Sequence, residues 1–235
     1  MDRYVFEDRL AAGRRLGIEV ARIHLINPVV LGLPRGGVPV AAMVAEAINA
    51  PLDVIVVRKL GVPSQPEFAM GAIGENGIRV LNHNVIRASN VSEQALQAVE
   101  SRERNELDRR LRAIRSVRPR ESLVGCAAVI VDDGIATGAT MRAAIDVAKA
   151  SGATTVIVAT PVAPPDVVAD LRSKADRVIC LEEPEPFWAV GTWYRRFDAV
   201  SDAEVAEVLS SHVEQATIPC GQLETPPSAP DVGAL

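Results

Sequence analysis

The residues best equipped for chemistry lie in one stretch, Asp132-Asp133-Gly134-Ile135-Ala136-Thr137-Gly138-Ala139-Thr140. An apolar run from Cys126 to Val131 precedes it and reads as a strand, and a helical pattern begins near Met141. Two carboxylates at a strand end can hold vicinal hydroxyls or a hydrated metal ion. The small turn from Thr137 to Thr140 can aim backbone N–H groups and two hydroxyls at a phosphate on a helix N-terminus. Acids for hydroxyls beside a cradle for phosphate fit a phosphorylated sugar. An Asp-Asp pair alone would more often just cap a turn, and it is the small loop and the following helix that reverse those odds.

The flanking elements must place this stretch at a sheet edge. Phe6 to Ala21 suits a short amphipathic helix, with apolar residues at Phe6, Leu10, Leu16 and Val20. Strands are expected at Pro28–Leu33, Leu52–Val57, Cys126–Val131, Thr154–Thr160 and Val178–Leu181. Helices are expected at Val38–Asn49, Met141–Ser151 and Asp166–Ala175. This alternation predicts an α/β fold with a mostly parallel central sheet, helices on both faces, and ligands beyond the strands' C-terminal ends. Gly61 to Gly77 holds too many Gly and Pro residues for a regular element and reads as loop, with an edge strand over Ile78–Asn82. Ser92 to Arg118 reads as a long charged helix, N-capped by Ser92, whose charges mark a solvated face.

Two further clusters lie at strand ends. Gly32-Leu33-Pro34-Arg35-Gly36-Gly37 leads into a helix, so its N–H groups and Arg35 could meet an anion, although such glycines also make ordinary tight turns. Arg58 and Lys59 stand at the mouth of the Gly/Pro-rich segment, where by themselves they could simply be solvated.

The strand, two acids, two further residues and a small Thr/Gly loop resemble the binding motif for phosphoribosyl pyrophosphate (PRPP) in type I phosphoribosyltransferases. Gly134 departs from it, since family members more often carry an aliphatic residue there. The resemblance spans roughly residues 25 to 200 and implies displacement at the anomeric carbon of PRPP by a nitrogenous acceptor, most naturally a nucleobase, with release of pyrophosphate. It implies a 5′-phosphate on Ala136, Thr137, Gly138, Ala139 and Thr140, and pyrophosphate on Arg35, Gly36 and Gly37, often through a cis peptide. Asp132 and Asp133 would hold ribose hydroxyls, or Mg²⁺ directly or through water. Arg58 and Lys59 resemble the cation pair before the mobile catalytic loop of adenine and orotate enzymes, and would balance phosphate charge. That loop, here about residues 60–77 with Ser64, Gln65 and Glu67 as polar candidates, would close to keep water from a ribosyl cation. Ala136 and Ala139 replace the aspartate and lysine typical of hypoxanthine-guanine enzymes, which disfavours a 6-oxopurine acceptor.

Phe187, Trp188, Trp193, Tyr194 and Phe197 are five of the eight aromatic residues. They read either as a latch packing the chain's end onto the core or as a hood stacking on a planar base, with Phe187 and Trp188 as the stacking pair. The expected organisation is an N-terminal helical segment (1–25), a PRPP-binding core (26–183), a hood with a terminal helix (184–215) and a Pro-rich disordered tail (216–235). The runner-up reading is a non-catalytic PRPP-sensing or RNA-binding module on the same fold. A DNA-binding regulator would usually add a helical domain, for which the N-terminal helix leaves no room. An RNA-binding face could come from the arginines between Arg102 and Arg118, diluted by Glu100, Glu103, Glu106 and Asp108.

Composition narrows the classes. A net charge of −5 offers no general attraction to nucleic acid or anionic membrane. No apolar run approaches a membrane span and the first residues are too charged for a signal peptide, so a cytoplasmic location is expected. Cys126, Cys180 and Cys220 show no pairing or metal-ligand pattern, and His24, His83 and His212 are scattered. An exposed apolar stripe on the first or the long charged helix could support a homodimer.

Overall fold

The computed structural model describes residues 5–212. Numbered in chain order, β1 (Pro28–Gly32), β2 (Leu52–Val54), β6 (Ala127–Val131), β7 (Thr155–Val162) and β8 (Arg177–Glu182) form a parallel sheet in the order β2-β1-β6-β7-β8. Alternate strand residues feed two cores. Val30, Val129, Val131 and Ile157 face one, with α1 (Arg9–Ala21), α2 (Gly37–Ile48) and α7 (Asp202–Ser211). Val29, Leu31, Ile130 and Val158 face the other, with α5 (Ala139–Ala150) and α6 (Pro165–Arg172). Burial on both faces explains why β6 is apolar at every position. The expected α/β architecture is therefore the observed one.

From β1 the chain moves outward to β2 and then returns to the other side of β1 at β6. The order thus reverses between β1 and β6, and such a switch point opens a crevice at the strands' C-terminal ends. Gly32 pairs with Val131, and the Leu33 N–H donates to the Val131 carbonyl at 2.8 Å. The two loops singled out in the sequence therefore leave the sheet side by side.

The segment from Gly61 to Gly77 is not a loop. β3 (Arg58–Val62), β4 (Gln65–Ile73) and β5 (Arg79–Leu81) make an antiparallel sheet in the order β3-β4-β5, turned at Pro63 and Ser64. Gly61 and Gly71 are close-approach residues rather than breakers, while Gly77, with φ 74°, sits in the turn before β5. A Cβ on Gly61 would run into the Pro66 carbonyl, and one on Gly71 into the Val80 carbonyl, while register shifts at Gly61 mark a bulge. The edge strand expected over 78–82 is β5. β2 ends at Val54, and α3 (His83–Ala88), capped by Asn82, is an unanticipated short helix.

α4 (Glu93–Arg115) begins where Ser92 predicts, with Ser92 Oγ accepting from the Ala95 N–H at 3.2 Å. It is only partly a solvated face, because Leu96, Val99, Leu107 and Ile114 are buried along one stripe. The first helix starts at Arg9, capped by Asp8, and Phe6 instead packs on Tyr194. Its buried face is built from Ala12, Gly13, Leu16, Gly17 and Val20, while Leu10 is exposed. Gly13 lets the helix lie so close to α2 that a Cβ there would sit 2.8 Å from Met43 Cβ. Cys220 and the Pro-rich tail lie outside the described residues. Among the described residues no helix is long and apolar enough to cross a membrane.

Candidate active site

Asp132 and Asp133 leave the C-terminal end of β6 and pack against the loop after β1. A Cβ on Gly36 would collide with the Asp133 carboxylate, and one on Gly37 would lie 2.6 Å from the Val131 carbonyl and 3.1 Å from Asp132 Oδ1. The space at Gly36 is thus taken by the Asp133 side chain, and that at Gly37 chiefly by the main chain at the end of β6. Asp132 Oδ1 accepts from the Asp133 N–H at 3.0 Å. Burial among protein atoms, and then the neighbouring Asp133 charge, push the Asp132 carboxyl well above the usual carboxylate range.

After the acids, Gly138 takes the left-handed conformation (φ 71°) as the N-cap of α5. The first-turn amides of α5 therefore follow directly on Thr137 and Gly138, with Ala136, Thr137 and Thr140 exposed. Arg142, which carries no motif signal in the sequence, ties this turn down: its Nη2 donates to the Thr137 carbonyl at 2.8 Å and its Nη1 to Asp170 of α6 at 2.7 Å. Gly134, the departure from the family motif, lies under Val190, whose Cγ1 a Cβ would meet. An aliphatic side chain is excluded there by the segment packed above it.

The Pro34–Arg35 peptide is cis. Arg35 is exposed, with Nη1 3.9 Å from Asp202 Oδ1. Pro34, Arg58, Lys59, Arg102, Glu103, Arg110 and Thr140 line a cavity of about 550 Å³ that the β3–β4 hairpin borders through Gly61, Val62, Pro63 and Pro66. The cavity thus joins the loop after β1, the cation pair and the end of the phosphate-type turn. Arg35 lines a neighbouring cavity with Arg109 and Arg110 instead. Arg58 is held by Glu103, with Nε at 2.9 Å and Nη2 at 2.6 Å from one carboxylate oxygen. Ser64 and Gln65 are exposed at the hairpin tip, and the Glu67 side chain lies outside the described residues.

The aromatic segment is largely a latch. Tyr194 is buried between Phe6 and Phe197, with ring centroids 5.3 and 4.8 Å away, and its hydroxyl donates to the Asp133 carbonyl at 2.5 Å. Phe187 stacks on Trp193 at 6.4 Å, whereas Trp188 is 81% exposed. Arg9 is hidden in an ordinary helix pattern, yet its Nε lies 2.7 Å from Asp133 Oδ2. No local signal could have found it, because its partner is 124 residues away.

The fold and its edge define an α/β protein whose switch-point crevice sets an acid pair between two glycine-rich, anion-type loops. The sequence model for the phosphoribosyl transferase domain matches residues 9–195, and the chain belongs to that family, with the type I fold. Two Mycobacterium tuberculosis proteins, from strains CDC 1551 / Oshkosh and H37Rv and provisionally named phosphoribosyl transferases, are each 54% identical over 205 residues. The match covers 87% of this chain and 46% of each relative, so the chain spans about half their length. The crystal structure of TT1426 from Thermus thermophilus is 44% identical with a TM-score of 0.83, over 90% of this chain and 99% of that one.

Proposed function

We propose that this chain moves the 5-phosphoribosyl group from PRPP to a nitrogenous acceptor, a nucleobase in the simplest case, and releases pyrophosphate. The observation that carries the reading is the meeting of three elements at one switch point: the acids after β6, the glycine loop after β1, and the cavity shared by Pro34, Lys59 and Thr140. In it, Asp132 and Asp133 hold the ribose hydroxyls, Ala136 to Thr140 take the 5′-phosphate at the start of α5, and Arg35, Gly36 and Gly37 take pyrophosphate. Arg58 and Lys59 balance charge on the leaving group, with Arg58 exchanging Glu103 for phosphate oxygens. The β3–β4 hairpin acts as the mobile lid over the cavity. Trp188 is the more exposed of the two rings offered for acceptor stacking.

The donor set suits Mg²⁺ brought in with PRPP better than a protein-only cage. Among the described residues no three His, Cys, Asp or Glu converge, and Mg²⁺ commonly takes one or two carboxylates plus substrate phosphates and water. Asp132 and Asp133 would contact it, and when bound it would supply charge neutralisation to the departing pyrophosphate. Family membership and this chemistry fit a cytoplasmic role in nucleotide metabolism. An RNA-binding role is less well supported, because Glu100, Glu103 and Glu106 each pair with two arginines and so spend much of the basic character of α4 internally.

The test is pyrophosphate release from PRPP and Mg²⁺ with adenine, hypoxanthine, guanine, xanthine, uracil and orotate offered separately. Turnover is expected with one of them, reduced roughly a hundredfold or more in Asp133→Asn. A folded wild type that binds PRPP and releases nothing with any base would shift the reading to a PRPP sensor.

A further inference from the structure

Asp133 is gripped from outside its own motif at both its main chain and its side chain. Tyr194 donates to its carbonyl, and Arg9 Nε donates to its carboxylate across a pair whose side chains are only 12% and 13% exposed. The Arg9 guanidinium is itself fixed at two more points. Its Nη1 donates to the Asp198 carbonyl at 2.7 Å, and its Cζ lies 3.9 Å from the centroid of the Phe197 ring. The oxygen that Arg9 holds, Oδ2, also abuts Gly36, where a Cβ would have to displace it.

These contacts depend on a seam between the two ends of the described chain. The Phe6 N–H donates to the Trp193 carbonyl at 3.0 Å, and the Arg195 N–H returns to the Phe6 carbonyl at 2.9 Å. Arg196 Nη2 meets Asp8 Oδ2 at 2.7 Å, beside the cap that starts α1. The seam delivers Arg9, the first residue of α1, to the acid pair. An arginine serving only to solvate the helix would need none of these partners.

We propose that Arg9 is a positioning residue of the phosphoribosyl site, holding the Asp133 carboxylate against the Gly36–Gly37 loop so that it meets the ribose in one orientation. The inference rests on reading Asp133 as a ribose-holding acid. A carboxylate can accept at both oxygens, so a cation fixed at Oδ2 leaves Oδ1 for a hydroxyl while restricting rotation of the group. Arg suits the task better than Lys, because a planar fork can serve a carboxylate, a carbonyl and a ring face at once.

The experiment is a double-mutant cycle on PRPP·Mg²⁺ affinity by calorimetry, which needs no acceptor. Arg9→Met is expected to weaken binding roughly tenfold to hundredfold in the wild-type background, and by less than about twofold in Asp133→Asn. Long-range attraction between a cation and an anionic ligand would survive removal of the Asp133 charge, and a general loss of packing would add to it. Equal losses in the two backgrounds would therefore overturn the proposal. So would tighter binding by Arg9→Met, since Arg9 would then be a competitor for the acid. Arg9→Lys, which keeps the charge and loses the fork, repeats the cycle if Arg9→Met does not fold, and the same non-additivity is expected. A folded wild type that binds no PRPP would instead remove the functional reading on which the inference stands.

Discussion

The loops after β1 and β6 leave neighbouring strands at the same level, since Gly32 pairs with Val131, yet they equip the crevice in opposite ways. The β6 loop presents side chains: two carboxylates, then two threonines around a left-handed Gly138. The β1 loop presents backbone, because Asp133 already fills the space a Cβ on Gly36 would need and the end of β6 fills that of Gly37. One loop supplies functional groups, and the other, beyond Arg35, is emptied to let them approach. The lesson is that a glycine loop's composition can be set by the side chains opposite it as much as by its own turn geometry.

Breaking that complementarity gives the largest expected effect. Gly36→Ala should push the Asp133 carboxylate out of place and weaken PRPP·Mg²⁺ binding by about tenfold to hundredfold, read by calorimetry. Wild-type affinity in this variant would show that the loops do not depend on each other. An effect of similar size, on stability rather than affinity, is expected beneath the aromatic segment. Gly134→Val restores a residue type common in the family but drives a side chain into Val190. It should cost about 1–3 kcal/mol in urea unfolding, with part recovered by adding Val190→Ala.

The smallest effect has the opposite sign. Burial and the adjacent Asp133 charge raise the Asp132 carboxyl above its unfolded value, so the folded state binds that proton more tightly. Its contribution to stability is complete below the unfolded value near 3.8 and is lost as pH rises through the folded one. Asp132→Asn escapes this loss. Its melting temperature relative to wild type should climb as pH rises above about 4. A difference that stays constant with pH would show that the acid pair carries no electrostatic strain. The gain should come with weaker PRPP binding, as expected where a site is built at some cost to stability.

The residues that announce the site are legible without coordinates because their signals are local. Asp132 to Thr140 is a strand end, an acid pair and a helix start in one run, and the alternation around it suffices for a parallel sheet. The Gly61–Gly77 segment misleads because two of its glycines answer to partner strands: Gly61 makes room for Pro66 and Gly71 for Val80. In the same way, Gly134 is a simple departure in the sequence and a packing requirement once Val190 lies above it. Arg9 is the extreme case. Its sequence neighbourhood describes an ordinary helix start, and its role depends on a seam joining Phe6 to Trp193 and Tyr194. Periodicity and turn chemistry act over a few residues, so the sequence alone could determine the strands, the helices and the motif. Which distant side chains crowd or neutralise that motif was decided only when tertiary packing brought the start of α1 and the segment around Tyr194 onto the acid that follows β6.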